Sequence, residues 1–282
     1  MEGALRKIAV CVDDFGLHAG INDATLALAE SGRITATSCM VGAPAWRAGA
    51  KALARLPAEK IDLGLHLDLT AHPVAAASRR PLPVLMGLAA GHLLDRRALR
   101  IEIAAQLDAF EQALGRQPDH IDGHQHVHQF PVVRELLLEA LLARYPRQRP
   151  WLRRTARAAG PRSGGVKGWV IERFGCAGLG AQARAHGFKQ NGHLLGVYDF
   201  EGDGTHYLDL LAQWTGAARQ GDLLMCHAAV AADANDPIGL ARRNEYEVLS
   251  SAAFAALLAH ARIELAPLSR ILATEPAYAA SL

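Results

Sequence analysis

Cysteine is scarce in this sequence: Cys11, Cys39, Cys176 and Cys226 are the full set, and no two form a CxxC pair. Dispersed cysteines of this kind exclude a zinc ribbon and a disulfide framework and read as buried free thiols in a reducing compartment. Long apolar runs are missing too. The N-terminal MEGALRKIAVCVDDFG carries charges ahead of only a short hydrophobic stretch, too short for a signal-peptide core or a membrane span. The expectation is a cytoplasmic protein with no integral membrane segment. An excess of charge of one sign is also absent: 30 basic and 28 acidic residues leave +2, which gives no footprint for nucleic acid. Basic residues do gather around Arg144 to Arg162, but they are broken up by proline and apolar residues and lack interleaved aromatics, so they read as a solvated face or the rim of a site for an anionic substrate. There is no internal repeat, no Gly/Ser linker and no GxSxG nucleophile motif.

What is present is hydrophobic patterning. Half of the 282 residues are hydrophobic, enough for a sizeable core in one large domain spanning 1–282. Short β-like runs occur at Ile8 to Val12, Ile34 to Val41, Ile61 to Leu69, His120 to His124, Leu194 to Tyr198 and Asp222 to His227. Between them INDATLALAESG, RRALRIEIAAQLDAFEQALG and PVVRELLLEALLARY place apolar residues at helical spacing, the second closed by Gly115 and the third opened by Pro131 as a first helical residue. Strands alternating with helices predict an α/β fold with a parallel sheet and crossover helices. The stretches 71–91 and 160–180 read as loop or lid insertions.

In such folds the ligand site lies at the carboxyl ends of the strands, and the polar residues of this chain fall there. The first strand ends in Asp13 and Asp14; in an extended chain the two side chains point apart, so one can face a metal while the other reaches a water or a structural donor. The third strand carries His66 and Asp68 on one face. In IDGHQHVHQFP, Asp122, His124, His126 and His128 would all face one way in a regular strand, but Pro131 and the helix after it leave room for strand only to about His126, which makes His124 the last strand residue. One carboxylate and two imidazoles, Asp14, His66 and His124, form a donor set for a divalent cation with positions open to water and substrate. Asp122 is suited to orienting a histidine ligand through a hydrogen bond. His227 ends a late strand, where it either caps the strand end or faces the same cavity from the opposite side. Trp46, Trp151, Trp169 and Trp214 are either core residues or platforms for sugar rings.

The ordered motifs VDDFGLHAGIND, ITATSCMVGAPAW, LGLHLDLT, HIDGHQHVHQFP, LLMCHAAV and RRNEYEVLSS resemble the YdjC-like carbohydrate deacetylase family, from about Ile8 to about Ala252. The resemblance implies an irregular (β/α) barrel related to the polysaccharide deacetylases and a single divalent ion, magnesium with zinc as an alternative. It further implies hydrolysis of the N-acetyl group of an amino sugar. It assigns metal binding to Asp14, His66 and His124, the catalytic base to Asp13 and the acid to His227, leaving Asp122, His126, His128 and Asp68 to contact substrate or support the ligands. The expected partner is an N-acetylated oligosaccharide or glycolipid, and self-association into a homo-oligomer is compatible with the sequence. Chemically, Asp13 takes a proton from the attacking water and His227, with an ordinary pKa near 6.5, returns one to the leaving amine. A hydrolase of another amide or a phosphoester, or a noncatalytic carbohydrate-binding barrel, would share the HxH spacing; the carboxylate of Asp13 beside a metal ligand argues for catalysis.

Overall fold

The computed structural model describes residues 5–157, 174–231, 233 and 235–274. Its first strand, β1 (Arg6–Phe15), is buried at every position from Ile8 onward, and β2 (Ala36–Cys39), β3 (Asp62–Leu67), β4 (His120–Gly123) and β7 (Leu223–Cys226) are buried throughout. Strands buried on both faces belong to a parallel sheet covered by helices. With β5 (Trp151–Leu152), β6 (Leu194–Leu195) and β8 (Ile263–Leu265) they make one curled sheet in the order β5-β4-β3-β2-β1-β7-β6, with β8 beside β1 and every pairing parallel.

Helices α1 (Ala19–Glu30), α2 (Trp46–Leu53), α3 (Leu82–Ala90), α4 (Arg96–Leu114), α5 (Val133–Arg144), α6 (Cys176–Ala185), α7 (Gly204–Ala217), α8 (Gly239–Ser250), α9 (Ala252–His260) and α10 (Leu268–Thr274) complete the described chain. None is long and apolar enough to cross a membrane. α4 shows why the periodic segments fold as read. Asp95 accepts from the amides of Arg97 and Ala98, closing the exposed N-terminal donors. Leu99, Ile103, Leu107, Phe110 and Leu114 recur on the buried face, and Gly115 ends the helix at φ 67° in the left-handed region.

Alternation along the strands separates two cores. Ile8, Val10 and Val12 of β1 pack with Leu63, Leu65 and the helix residues Leu28, Leu53, Phe110 and Leu137. A fully buried Leu or Phe of this kind contributes about 1.5–3 kcal/mol. The alternate residues Ala9 and Cys11 join Ala36, Trp151, Leu223 and Met225 inside the curl, where Leu268, Ile271 and Leu272 of α10 cover them. The same parity carried toward the strand ends brings Asp13, Ser38, His66, Asp122 and Arg153 to the inner side, so the interior is apolar at one end and polar at the other. One glycine is required on this face. A Cβ on Gly64 would lie 2.1 Å from His120 Nε2, and its absence lets the His120 ring pass over β3 and stack on Trp151 at 4.2 Å.

Several expectations are corrected. The 71–91 stretch is not all loop, since α3 fills its second half; of 160–180, residues 160–173 lie outside the described residues and α6 begins at Cys176. Pro131 is not the first residue of α5: Val132 occupies the cap at φ 67° and the helix begins at Val133. β5, β8, α2 and α7 to α10 went unread: a strand of two or three residues carries no period, and α2 is short. Trp46, Trp151 and Trp214 are buried, so none offers an open platform for a sugar; Trp169 lies outside the described residues. Cys11, Cys39 and Cys226 are buried free thiols, whereas Cys176 is half-buried.

Candidate metal centre and active site

The site is an arc of consecutive strand ends: Arg153 after β5, His124 after β4, His66 near the end of β3, Ser38 in β2, Asp13 and Asp14 in β1, and His227 after β7. Pairing puts His66 directly opposite Asp122 across the β3–β4 ladder, and His66 Nδ1 lies 2.6 Å from Asp122 Oδ1. The carboxylate therefore takes the proton-bearing nitrogen and turns Nε2 toward Asp14 Oδ1, 3.4 Å away. Ser38 Oγ donates to the other oxygen of Asp122 at 2.6 Å.

The two aspartates depart from the strand rule. Neighbouring residues of a regular strand would point to opposite faces, yet both carboxylates serve this site. The pairing of β1 with β2 shifts between Val12 and Phe15, and Asp14 has φ 66°. A bulge with a left-handed residue, a conformation aspartate tolerates better than most, re-aims the second side chain inward. Asp13 then faces Arg153 in a two-pronged pair, Nη1–Oδ2 2.5 Å and Nη2–Oδ1 2.7 Å, while Asp14 Oδ2 accepts from Arg242 Nη2 at 2.7 Å.

A second distortion separates the histidines. β4 stops at Gly123 rather than at His124, and His124–Gln129 forms a tight turn in which Gln125 and His126 have φ 53° and 60°. His124, one-fifth exposed, directs Nδ1 to Asp14 Oδ1 at 3.0 Å. His128 is fully buried and held at Nε2 by the carbonyl of Arg153 at 3.0 Å. His126 Nδ1 is buried with no hydrogen-bond partner among the described residues. Asp68 falls after β3 instead of within it, and its carboxylate accepts from the amides of Thr70, Ala71 and His72 and from the Thr70 hydroxyl, closing its own loop.

Among the described residues three groups of ligand-type atoms lie within 4.8 Å of one another: Asp14/His66/His124, Asp13/His66/Asp122 and Cys11/His120/Asp122. Arg153 decides between them. Its guanidinium sits 2.6 Å from Asp122 and 3.2 Å from Cys11 Sγ as well as on Asp13, so the second and third groups already enclose a cation. The first keeps Asp14 Oδ1 and an imidazole nitrogen from each histidine directed at a common space, a donor set that fits a divalent metal.

Burial opposes charge on His66, but Asp122, Asp13 and Asp14 outweigh it and push the ring up to about 10. The surroundings thus demand positive charge at this point. Asp13 is lowered: burial works against its ionised form and the Arg153 pair prevails. Burial dominates His126, His128 and His227 and lowers them to about 3, 4 and 4. The expectation of an ordinary pKa for His227 is therefore corrected; the ring is neutral at rest, its Nδ1 unpartnered among the described residues and its plane edge-on to Phe200 at 5.1 Å. Glu245 lies behind it, pushed up to about 7 by burial, which outweighs the lowering effect of the hydrogen bonds from the His227 amide and the Tyr198 hydroxyl.

Sequence reasoning missed Arg153, Arg242 and Glu245. Arg153 was hidden in the basic stretch read as a solvated face or rim, but it is fully buried. Its signal is its place directly after the apolar pair of β5. Arg242 and Glu245 stand in RRNEYE at the i, i+3 spacing of one helix face.

Residues 7–260 match the family model described as YdjC-like protein. A human carbohydrate deacetylase is 30% identical over 222 residues, covering 70% of this chain and 65% of that protein. A chitooligosaccharide deacetylase of Proteus mirabilis is 32% identical over 145 residues, 48% of this chain and 56% of its own length. The chain thus spans less than two thirds of either relative. In fold, it resembles the crystal structure of a peptidoglycan N-acetylglucosamine deacetylase, with TM-score 0.54, 10% identity and coverage of 95% of this chain and 89% of the other.

Proposed function

The chain belongs to the YdjC-like family, and from that membership and the strand-end geometry we propose that it is a metal-dependent hydrolase removing the N-acetyl group from an amino sugar, acting in the cytoplasm as one deacetylase domain over 1–282. The observation that carries this reading is the convergence of Asp14, His66 and His124 on one space, with Asp13 beside them and His227 at the neighbouring strand end. Both relatives are named as deacetylases of carbohydrate or chitooligosaccharide.

A divalent cation held by Asp14, His66 and His124 would polarise the acetamide oxygen and lower the pKa of a water. One oxygen and two imidazole nitrogens suit zinc better than the magnesium implied by resemblance, since magnesium prefers oxygen donors. Arg153 keeps Asp13 ionised, the state a base requires, and each paired oxygen retains a lone pair for the proton of the attacking water. The water oxygen bonds to the acetyl carbon, the carbon–nitrogen bond breaks, and His227 delivers a proton to the departing nitrogen. His227 is neutral at rest, so that proton reaches it during turnover. Asp13 and Asp14, whose charges raise its pKa against burial, favour its arrival. His126, whose buried Nδ1 has no hydrogen-bond partner among the described residues, would hydrogen-bond the substrate. Asp122 orients His66, His128 supports the turn, and Asp68 shapes the loop at the rim.

The test is acetate release from N-acetylglucosamine oligomers, N-acetylated glycolipids and nucleotide sugars, with metal analysis of the same sample. Acetate production that follows bound metal, stops with chelator and returns with added zinc or magnesium is the expected result. A metal-loaded protein that releases acetate from none of these would end the reading.

A further inference from the structure

α8 follows β7 and His227, and it buries two charged side chains one turn apart, Arg242 at 3% exposure and Glu245 at 1%. Buried charges are costly unless fully partnered, and these two spend their partners on the reacting end of the sheet. Arg242 donates from Nη2 to Asp14 Oδ2 at 2.7 Å, from Nε to Asp236 Oδ2 at 2.6 Å and from Nη1 to the carbonyl of His227 at 3.2 Å. Glu245 accepts the backbone N–H of His227 on one oxygen and the Tyr198 hydroxyl on the other at 2.8 Å. The peptide groups on both sides of the His227 Cα are therefore gripped by the same helix that holds Asp14.

We propose that Arg242 and Glu245 are positioning residues that fix, in one frame, the single metal-facing oxygen of Asp14 and the backbone carrying His227. The inference rests on the deacetylase reading above. Because the guanidinium engages Oδ2, Asp14 presents only Oδ1 to His66 and His124. A guanidinium beside a cation site repels the cation, so charge and positioning make opposite predictions for its removal. Charge alone predicts tighter metal binding without Arg242; positioning predicts weaker binding, because an untethered Asp14, held at a left-handed φ, loses its aim.

The experiment titrates zinc into the metal-stripped protein by calorimetry and follows acetate release by the zinc-loaded forms. Arg242→Met is expected to weaken zinc binding tenfold or more. Arg242→Lys keeps the charge but cannot span Asp14 and Asp236 together, and is expected to weaken it as well, which keeps the test intact if Arg242→Met fails to fold. Glu245→Gln is expected to bind zinc with affinity and stoichiometry within twofold of wild type while kcat falls tenfold or more and KM stays within twofold; a general loss of stability would lower the zinc stoichiometry along with kcat. Unchanged or tighter zinc binding by the folded Arg242 variants overturns the inference alone, as does an unchanged kcat in Glu245→Gln. A wild-type protein that binds no zinc removes the metal reading and this inference with it.

Discussion

Among the described residues, arginine–carboxylate pairs form both on the outer surface and at the strand ends. On the outer surface, Arg96 of α4 pairs with Glu135 of α5 at 3.2 Å and Arg100 with Glu139 at 2.7 Å, the latter pair about half exposed on both sides. At the strand ends Arg153 and Arg242 pair with Asp13, Asp122 and Asp14 with almost no exposure. The distances are alike and the consequences are not. Exposed pairs keep their water and gain little from one another, whereas the buried pairs hold three carboxylates ionised in a place where none would stay so alone. The difference shows which arginines serve the chemistry: those whose removal would leave a carboxylate stranded.

That contrast is broken most severely by Arg153→Met. Asp13 and Asp122 would remain buried with only the His66 ring to offset their charge, and stability at pH 7 is expected to fall by about 3–5 kcal/mol in urea unfolding. The pH dependence should reverse. In the wild type both carboxylates are lowered by Arg153, so their contribution is present above the ordinary value of 3.8 and is lost as pH falls below it. In the variant their pKa values rise, and acidification relieves the strain; a deficit that does not shrink on acidification would contradict this account. Asp13→Asn is expected to preserve metal content while lowering acetate release at least about a hundredfold; loss of metal instead would mean the two aspartates are reversed. His124→Ala is expected to release the metal in elemental analysis, and full retention with full activity would remove His124 from the ligand set. Zinc affinity should rise with pH between 7 and 9, about tenfold per unit, because the proton held on His66 up to about 10 must leave when a cation enters. The smallest effect belongs to the surface: Arg100→Ala should cost no more than about 1 kcal/mol by thermal or urea unfolding and leave acetate release unchanged.

Much of the frame was legible. Among the described residues, five of the eight strands lay within the runs read from hydrophobicity and β1 enclosed a sixth run, while the helical spacing of α4 together with Gly115 located its ends to within a residue. Strand-end placement was enough to gather Asp14, His66 and His124 before any coordinates, because a parallel sheet puts its carboxyl ends in one place. Two-residue strands such as β5 were not legible, since so short a run has no period, and with β5 the position of Arg153 was lost. Arg242 and Glu245 were visible as residues but not as partners, because their contacts are over two hundred residues away for Asp14 and eighteen for His227.

The sequence by itself determined the alternation of strand and helix, the apolar faces and the order in which polar residues reach the strand ends, all consequences of local periodicity. The tertiary structure alone decided how those residues are aimed and which buried arginines they meet. The left-handed backbone at Asp14 and the tight turn at Gln125 and His126 override strand parity, turning both aspartates inward and parting His124 from His126 and His128. Two distant arginines then divide the carboxylates between an enclosed ion pair and an open cation site. Periodicity is a property of neighbours in the chain; charge compensation in a buried site is a property of neighbours in space.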